Sequence, residues 1–149
     1  MNQTLSEQEI KDLLESDEEQ LLNQLGLRAA AASRDFQKSA ELHPKITAEE
    51  VVAMDLKGDL KSLGRRLVRR WNRSAYDVVC GDDPDDTQAR EGVKNALGLG
   101  DAAAIGALTA ALIGIGMMPA LAPVLAAILV KKFFNPAYGE FCGFWKEKL

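Results

Sequence analysis

The chain has 149 residues, 47% hydrophobic and 27% charged, with a mean hydropathy of -0.12. That is the length of one ordinary domain, enough to bury a core without metal or disulfide staples, and the averages exclude extended disorder, a collagen-like repeat and a polytopic membrane protein. The net charge of -4 resolves into blocks of -7 over residues 1–59, +5 over 60–80, -4 over 81–101, zero over 102–130 and +2 over 131–149. An acidic whole argues against general nucleic-acid binding through bulk charge.

Strand signals are nearly absent and helix signals run throughout. Ser6 with Glu9 reads as a capping box; Ile10, Leu13, Leu14, Leu21, Leu22 and Leu25 then form a helical stripe that Gly26 is placed to stop. A second helix fits Leu27 to about Leu42 and ends before His43-Pro44. Thr47 with Glu50 opens a long helix towards Val79, with apolar positions at Val52, Leu56, Leu60, Leu63, Leu67 and Trp71 and with Gly58 and Gly64 inside it. Gly81 ends that helix before the acidic loop 82–86. Asp86 or Thr87 caps a short helix reaching about Leu97, which Gly98-Leu99-Gly100 breaks.

From Ala102 to Val130 the chain carries no charge, and Thr109 is the one polar side chain. Length and hydropathy both satisfy the requirement of roughly 20 apolar residues for a spanning helix. The punctuation favours another reading. Gly114, Gly116 and Pro119 fall near the middle, where a continuous helix would be kinked. The segment therefore reads as an apolar hairpin, with arms 102–115 and 120–134 that are each too short for the ~30 Å hydrocarbon core. The first arm carries small residues at 103, 106, 107, 110, 111 and 114 beside a large stripe of Ile105, Leu108, Leu112 and Ile115. The second carries Leu121, Leu125 and Ile128 against Ala122 and Ala126. Helices that are apolar all round must be buried in protein or in lipid. In plan, with no shared residue motif, a hairpin wrapped by amphipathic helices resembles the pore-forming domains of colicins and the bundles of apoptosis regulators. That resemblance implies a hairpin able to leave its bundle and insert into a bilayer.

The candidate site residues follow from charge and aromatic patterning. Arg65, Arg66, Arg69, Arg70 and Arg73 spread over one helical face, with Trp71 on the other, a pattern suited to an acidic partner, an anionic membrane or, less well, a nucleic acid. The bland alternative is a solvated face whose arginines pair with the acidic N-terminal helix. Tyr138, Phe141, Phe144 and Trp145 recur at helical spacing in the tail, either docked on the bundle or serving as an interfacial anchor. Met117 and Met118 fill the hairpin turn unless exposed. Asp82, Asp83, Asp85 and Asp86 lack the ligand alternation of a calcium loop, and the Gly-Leu-Gly at 98–100 matches no phosphate-loop pattern. His43, the sole histidine, has no sequence-local nucleophile or carboxylate to work with. Cys80 and Cys142 form no metal motif and are expected as two reduced, cytosolic thiols, with a single Cys80–Cys142 bridge as the alternative. With no basic, apolar leader at its N-terminus, the protein is expected in the cytoplasm, with conditional membrane association as the alternative.

The sequence thus points to an all-α, single-domain bundle of five to seven helices. Charged amphipathic helices (1–97) wrap the apolar hairpin (98–134), followed by the aromatic tail (135–149). The expected function is a non-catalytic helical interaction or adaptor protein, with no cofactor and no metal. Its partner would be another protein or a second copy met through helical faces. Its working surface would be the arginine face, the tail, or an apolar groove beside the hairpin. The alternative is a membrane-active effector whose hairpin 102–134 inserts, guided by the basic helix 60–73.

Overall fold

A computed structural model describes residues 6–42, 44, 46, 60–133 and 138–149, the side chains of residues 138–140 excepted. The described residues form no strand. They make eight α-helices, seven of nine residues or more and one of a single turn. In chain order these are α1 (Glu7–Glu15), α2 (Glu18–Arg34), α3 (Phe36–Ser39), α4 (Leu60–Cys80), α5 (Thr87–Leu97), α6 (Asp101–Gly114), α7 (Ala122–Phe133) and α8 (Tyr138–Glu147), with a 3-10 turn at Pro84–Asp86 before α5.

The N-terminal third divides differently from its periodicity. Ser6 caps α1, its hydroxyl accepting the Glu9 N–H at 3.1 Å, which is the N-cap half of the expected box. The stripe from Ile10 to Leu25 is not one helix, however. It breaks at Ser16-Asp17, where Asp17 and Gln20 exchange side-chain and backbone hydrogen bonds of 2.8 and 2.9 Å in a full capping box. Two orphan donors satisfied at once make that break favourable. Gly26 does not stop a helix but lies inside α2, and the expected second helix is divided at Asp35, which caps the one-turn α3 through the Gln37 N–H.

Gly26 has a tertiary reason to be glycine. A Cβ there would meet the backbone carbonyl of Leu60, 3.0 Å from its carbon, and a Cβ on Gly64 would meet the carbonyl of Leu22, 2.9 Å from its carbon. The two glycines are reciprocal seats at the crossing of α2 and α4, so Gly64 does not interrupt α4 either. Close backbone approach between helices of this kind requires small residues at the crossing. The inward face of α4 is accordingly Gly64, Ala75, Val78 and Val79 with Val68, Leu67 and Trp71 packed alongside; Leu60 and Leu63 are half-buried. The expected start of this helix, Thr47 with Glu50 and the positions up to Gly58, lies outside the described residues, as does His43.

Helices α6 and α7 cover most of the uncharged run and pack on each other across the connection 115–121, with Gly116 at φ 102°. They are not equivalent. Residues 120–130 are buried without exception, and α7 is the central helix, touched by α1, α2, α6 and α8. Its sister α6 buries Ile105, Leu108 and Leu112 but leaves Ala110 and Gly114 exposed. No helix among the described residues is long and apolar enough to cross a membrane.

Two polar ties fix this arrangement. Arg28 is the one buried charged side chain among the described residues. Its guanidinium donates to Gln24 Oε1 at 2.9 Å, to the Leu42 carbonyl at 2.9 Å and to the Ala120 carbonyl at 3.1 Å. The Ala120 N–H in turn donates to the Ser39 carbonyl at 3.1 Å, so both polar groups of Ala120 are held by the α2–α3 region. Burial lowers the Arg28 pKa to about 10, with Glu9 opposing the shift, and the side chain stays charged at neutral pH. The second tie corrects an expectation: Cys80 and Cys142 are not two thiols but a disulfide joining the end of α4 to α8, with Cα atoms 5.7 Å apart. Sixty-two residues separate them in sequence. Only the docking of α8 on α4 brings them together, which no local spacing reveals. Disulfides persist in oxidising surroundings, so cysteine content no longer supports a cytosolic assignment.

Candidate functional site

The arginine face is the most solvent-directed of the three expected surfaces. Arg65, Arg66, Arg69, Arg70 and Arg73 are all exposed along α4, whereas Trp71 is half-buried on the opposite side against the core. Among the described residues, the alternative pairing of these arginines with the acidic N-terminal helices does not occur. Lysines make those contacts instead: Lys61 meets Glu19 at 3.0 Å and Lys132 meets Glu18 at 3.1 Å. Lys131 donates to the carbonyls of Leu14, at 3.1 Å, and of Ser16 where α1 ends, the position at which a cation complements the helix dipole. On α4, Arg73 reaches Asp77 at 3.3 Å, an exposed i,i+4 pair of the kind worth about 0.3–0.5 kcal/mol. Among the described residues no ion pair forms at Arg65, Arg66, Arg69 or Arg70. The four exposed guanidiniums thus meet no carboxylate among the described residues with their planar donor forks.

The aromatic tail behaves oppositely. Trp145 is 0% exposed; its ring stacks on Phe133 with centroids 5.3 Å apart and meets Tyr76 edge-on at 5.5 Å. Its indole N–H donates to Asn72 Oδ1 at 2.6 Å. Phe141 is buried as well. Phe144, 39% exposed, sits under the Lys148 ammonium and against Phe133. Tyr138 opens α8, and its side chain is outside the described set. The tail therefore belongs to the core, with Phe144 as its one partly open aromatic ring among the described residues.

The apolar arms are core too: Ile105, Leu108, Leu112, Leu121, Leu125 and Ile128 are buried and Ile115 is half-buried. A groove does lie beside them, with a cavity volume of about 400 Å³ between α5 and α6. Its floor is Ala89, Gly92, Ala107, Ala110 and Gly114, and Asp85 and Asp86 stand at its rim. Sequence reasoning marked the α6 side of this groove through its small residues but gave no sign of the α5 wall. Met117 is buried in the core while Met118 is exposed.

The acidic loop is a structural turn. Asp83 accepts the Asp85 N–H at 2.9 Å and begins the 3-10 turn, and its carbonyl accepts from Arg90 at 3.3 Å. Asp82, Asp83 and Asp85 are exposed. Among the described residues no three His, Cys, Asp or Glu side chains are grouped to hold a metal ion. Compared with protein-family models, with curated proteins and with solved structures, the chain matches none.

Proposed function

We propose that this protein is a non-catalytic helical interaction module, and that its working surface is the arginine face of α4. The observation that supports this reading is the contrast between its cations. Lys61, Lys131 and Lys132 take carboxylates or carbonyls of their own chain, while Arg65, Arg66, Arg69 and Arg70 stand exposed and take none among the described residues. The face is also presented firmly, because α4 is held behind by the glycine crossing with α2 and at its end by the disulfide. A rigid row of hydrated guanidiniums suits the carboxylates of an acidic protein surface, which they can engage bidentately.

The test uses two probes. A fluorescent oligoglutamate peptide should bind the wild-type chain, with affinity lost in Arg66→Glu/Arg70→Glu and kept in a Lys146→Glu control. Equal binding by the arginine variant would refute the assignment. The second probe is a vesicle of phosphatidylglycerol and phosphatidylcholine, examined by flotation and dye leakage at neutral and acidic pH. Leakage abolished by the same double substitution would replace this reading with that of a membrane-active effector.

A further inference from the structure

The acidic partner of the arginine face need not be foreign, because a matching surface lies on the same chain. Along the exposed side of α4, the i,i+4 succession Arg65, Arg69, Arg73, Asp77 runs on to Gly81, whose N–H closes the last turn on the Asp77 carbonyl, and then to Asp82 and Asp83. Arg66 and Arg70 flank this row, and all five arginines, Asp77, Asp82 and Asp83 are exposed. Positive charge fills the first half of the strip and negative charge the second; the helical part from Arg65 to Cys80 is roughly 22 Å long at 1.5 Å per residue, and Asp82 and Asp83 follow in the turn beyond it. Such a bipolar strip cannot neutralise itself. The exposed Arg73–Asp77 pair is its one internal ion pair among the described residues, and the remaining charges stand exposed on α4 or in the turn that follows it. It does complement an inverted copy of itself.

We infer that the surface is a self-association face, on which two copies pair antiparallel along α4 about a two-fold axis. This rests on the reading of the arginine face as the working surface. A register with Ser74 near the axis sets Arg70 close to the second copy's Asp77 and Arg66 close to its Asp82, and the symmetry repeats each pair. Ser74 is exposed and small, so the helices can approach where the axis passes. An isologous arrangement satisfies both halves of the strip in one closed interface, whereas an unrelated acidic partner would leave the aspartates facing solvent or repelling it. Charge pairing of this kind fixes partner and register more than it supplies affinity. The dimer is therefore a dissociable one.

Sedimentation velocity over a concentration series in 0.1 M and 1 M NaCl tests it, with folding of every variant checked by circular dichroism. The wild-type chain should show a monomer–dimer equilibrium that weakens by at least about tenfold at the higher salt, where the screening length falls from about 10 Å to about 3 Å. Arg66→Glu/Arg70→Glu should be monomeric, and so should Asp77→Lys/Asp82→Lys. Mixed in equal amounts, the two variants should form a heterodimer, since the reversed positions of each then face opposite charges on the other at both 66–82 and 70–77. A wild-type chain monomeric up to its solubility limit, a dimer retained in either variant alone, or a mixture that stays monomeric would each overturn the proposal. Those failures are separable from failure of the broader reading: a monomeric wild type that still binds oligoglutamate through Arg66 and Arg70 leaves the arginine face as a docking surface for a different acidic protein.

Discussion

The crossing of α2 and α4 makes a prediction whose sign differs from the one helix propensity gives. Gly26 and Gly64 are interior positions of long helices, where alanine normally stabilises by about 1 kcal/mol. Here the added methyl would overlap the Leu60 or Leu22 carbonyl. Those are backbone atoms of a packed helix, and no rotamer change can move them aside. The helices must part by a few tenths of an ångström or more, loosening Leu22, Leu25 and Ala75 behind them, and overpacking of this kind costs about 1–3 kcal/mol. We expect Gly26→Ala and Gly64→Ala each to lower stability by about 2 kcal/mol, or about 4–8 °C in Tm for a chain of this size. Gly92→Ala and Gly106→Ala serve as controls: both are helix-interior, both meet nothing within 4 Å, and both should raise stability by about 0.5–1 kcal/mol. Urea denaturation followed by circular dichroism reads all four. The double substitution at 26 and 64 should cost less than the two single costs together, because one methyl already separates the helices for the other. If Gly26→Ala or Gly64→Ala stabilised as the controls do, the close crossing would be wrong, and with it the rigid presentation of the arginine face.

Three further outcomes probe the ties around the core. Arg28→Met strips the Leu42 and Ala120 carbonyls of their cation and should cost about 2–4 kcal/mol in urea denaturation, with faster amide exchange across 115–121; unchanged exchange there would show that Arg28 does not hold that connection. Trp145→Ala should cost about 3–5 kcal/mol and Phe144→Ala under about 1 kcal/mol, since one ring is enclosed and the other partly open; equal losses would contradict the docked tail. Reducing the Cys80–Cys142 bond opens a loop of 62 residues, worth about 4 kcal/mol by chain entropy, so denaturation curves that superimpose with and without dithiothreitol would exclude the bridge.

The fold class was legible because helix periodicity is local and repeated. Where boundaries went astray, two local signals competed. Gly26 reads locally as a stop and Ser16-Asp17 does not, although Asp17 with Gln20 obeys the same capping rule that places Ser6 at the start of α1. The outcome turned on tertiary structure: Gly26 is glycine for the sake of Leu60, a residue 34 positions away and invisible to a local reading. The same limit hid the Cys80–Cys142 pair and the Arg28 contacts, since docking of distant segments, not spacing, creates them. The arginine face was legible as a pattern, but its freedom from the acidic N-terminus was not. Which cations meet Glu18 and Glu19 depends on the packing of α4 and α7, and that packing selects Lys61 and Lys132.

The uncharged run from 102 to 130 shows why residue counts overstate its need for burial. Hydrophobic free energy follows apolar area, about 25 cal/mol per Å², and not the number of apolar residues. On α6 the area is concentrated in Ile105, Leu108 and Leu112, which are buried, and in Ile113, which is half-buried. The remaining face, Ala110 and Gly114 with half-buried Ala103, Gly106 and Ala107, exposes little area for each residue that a hydropathy sum scores as apolar. A helix with almost no amphipathic contrast by composition can therefore be strongly two-sided by area. That is how α6 lies at the edge of the bundle, open to the groove beside α5, while α7, with Leu125, Ile128, Leu129 and Val130 around its circumference, must lie at the centre.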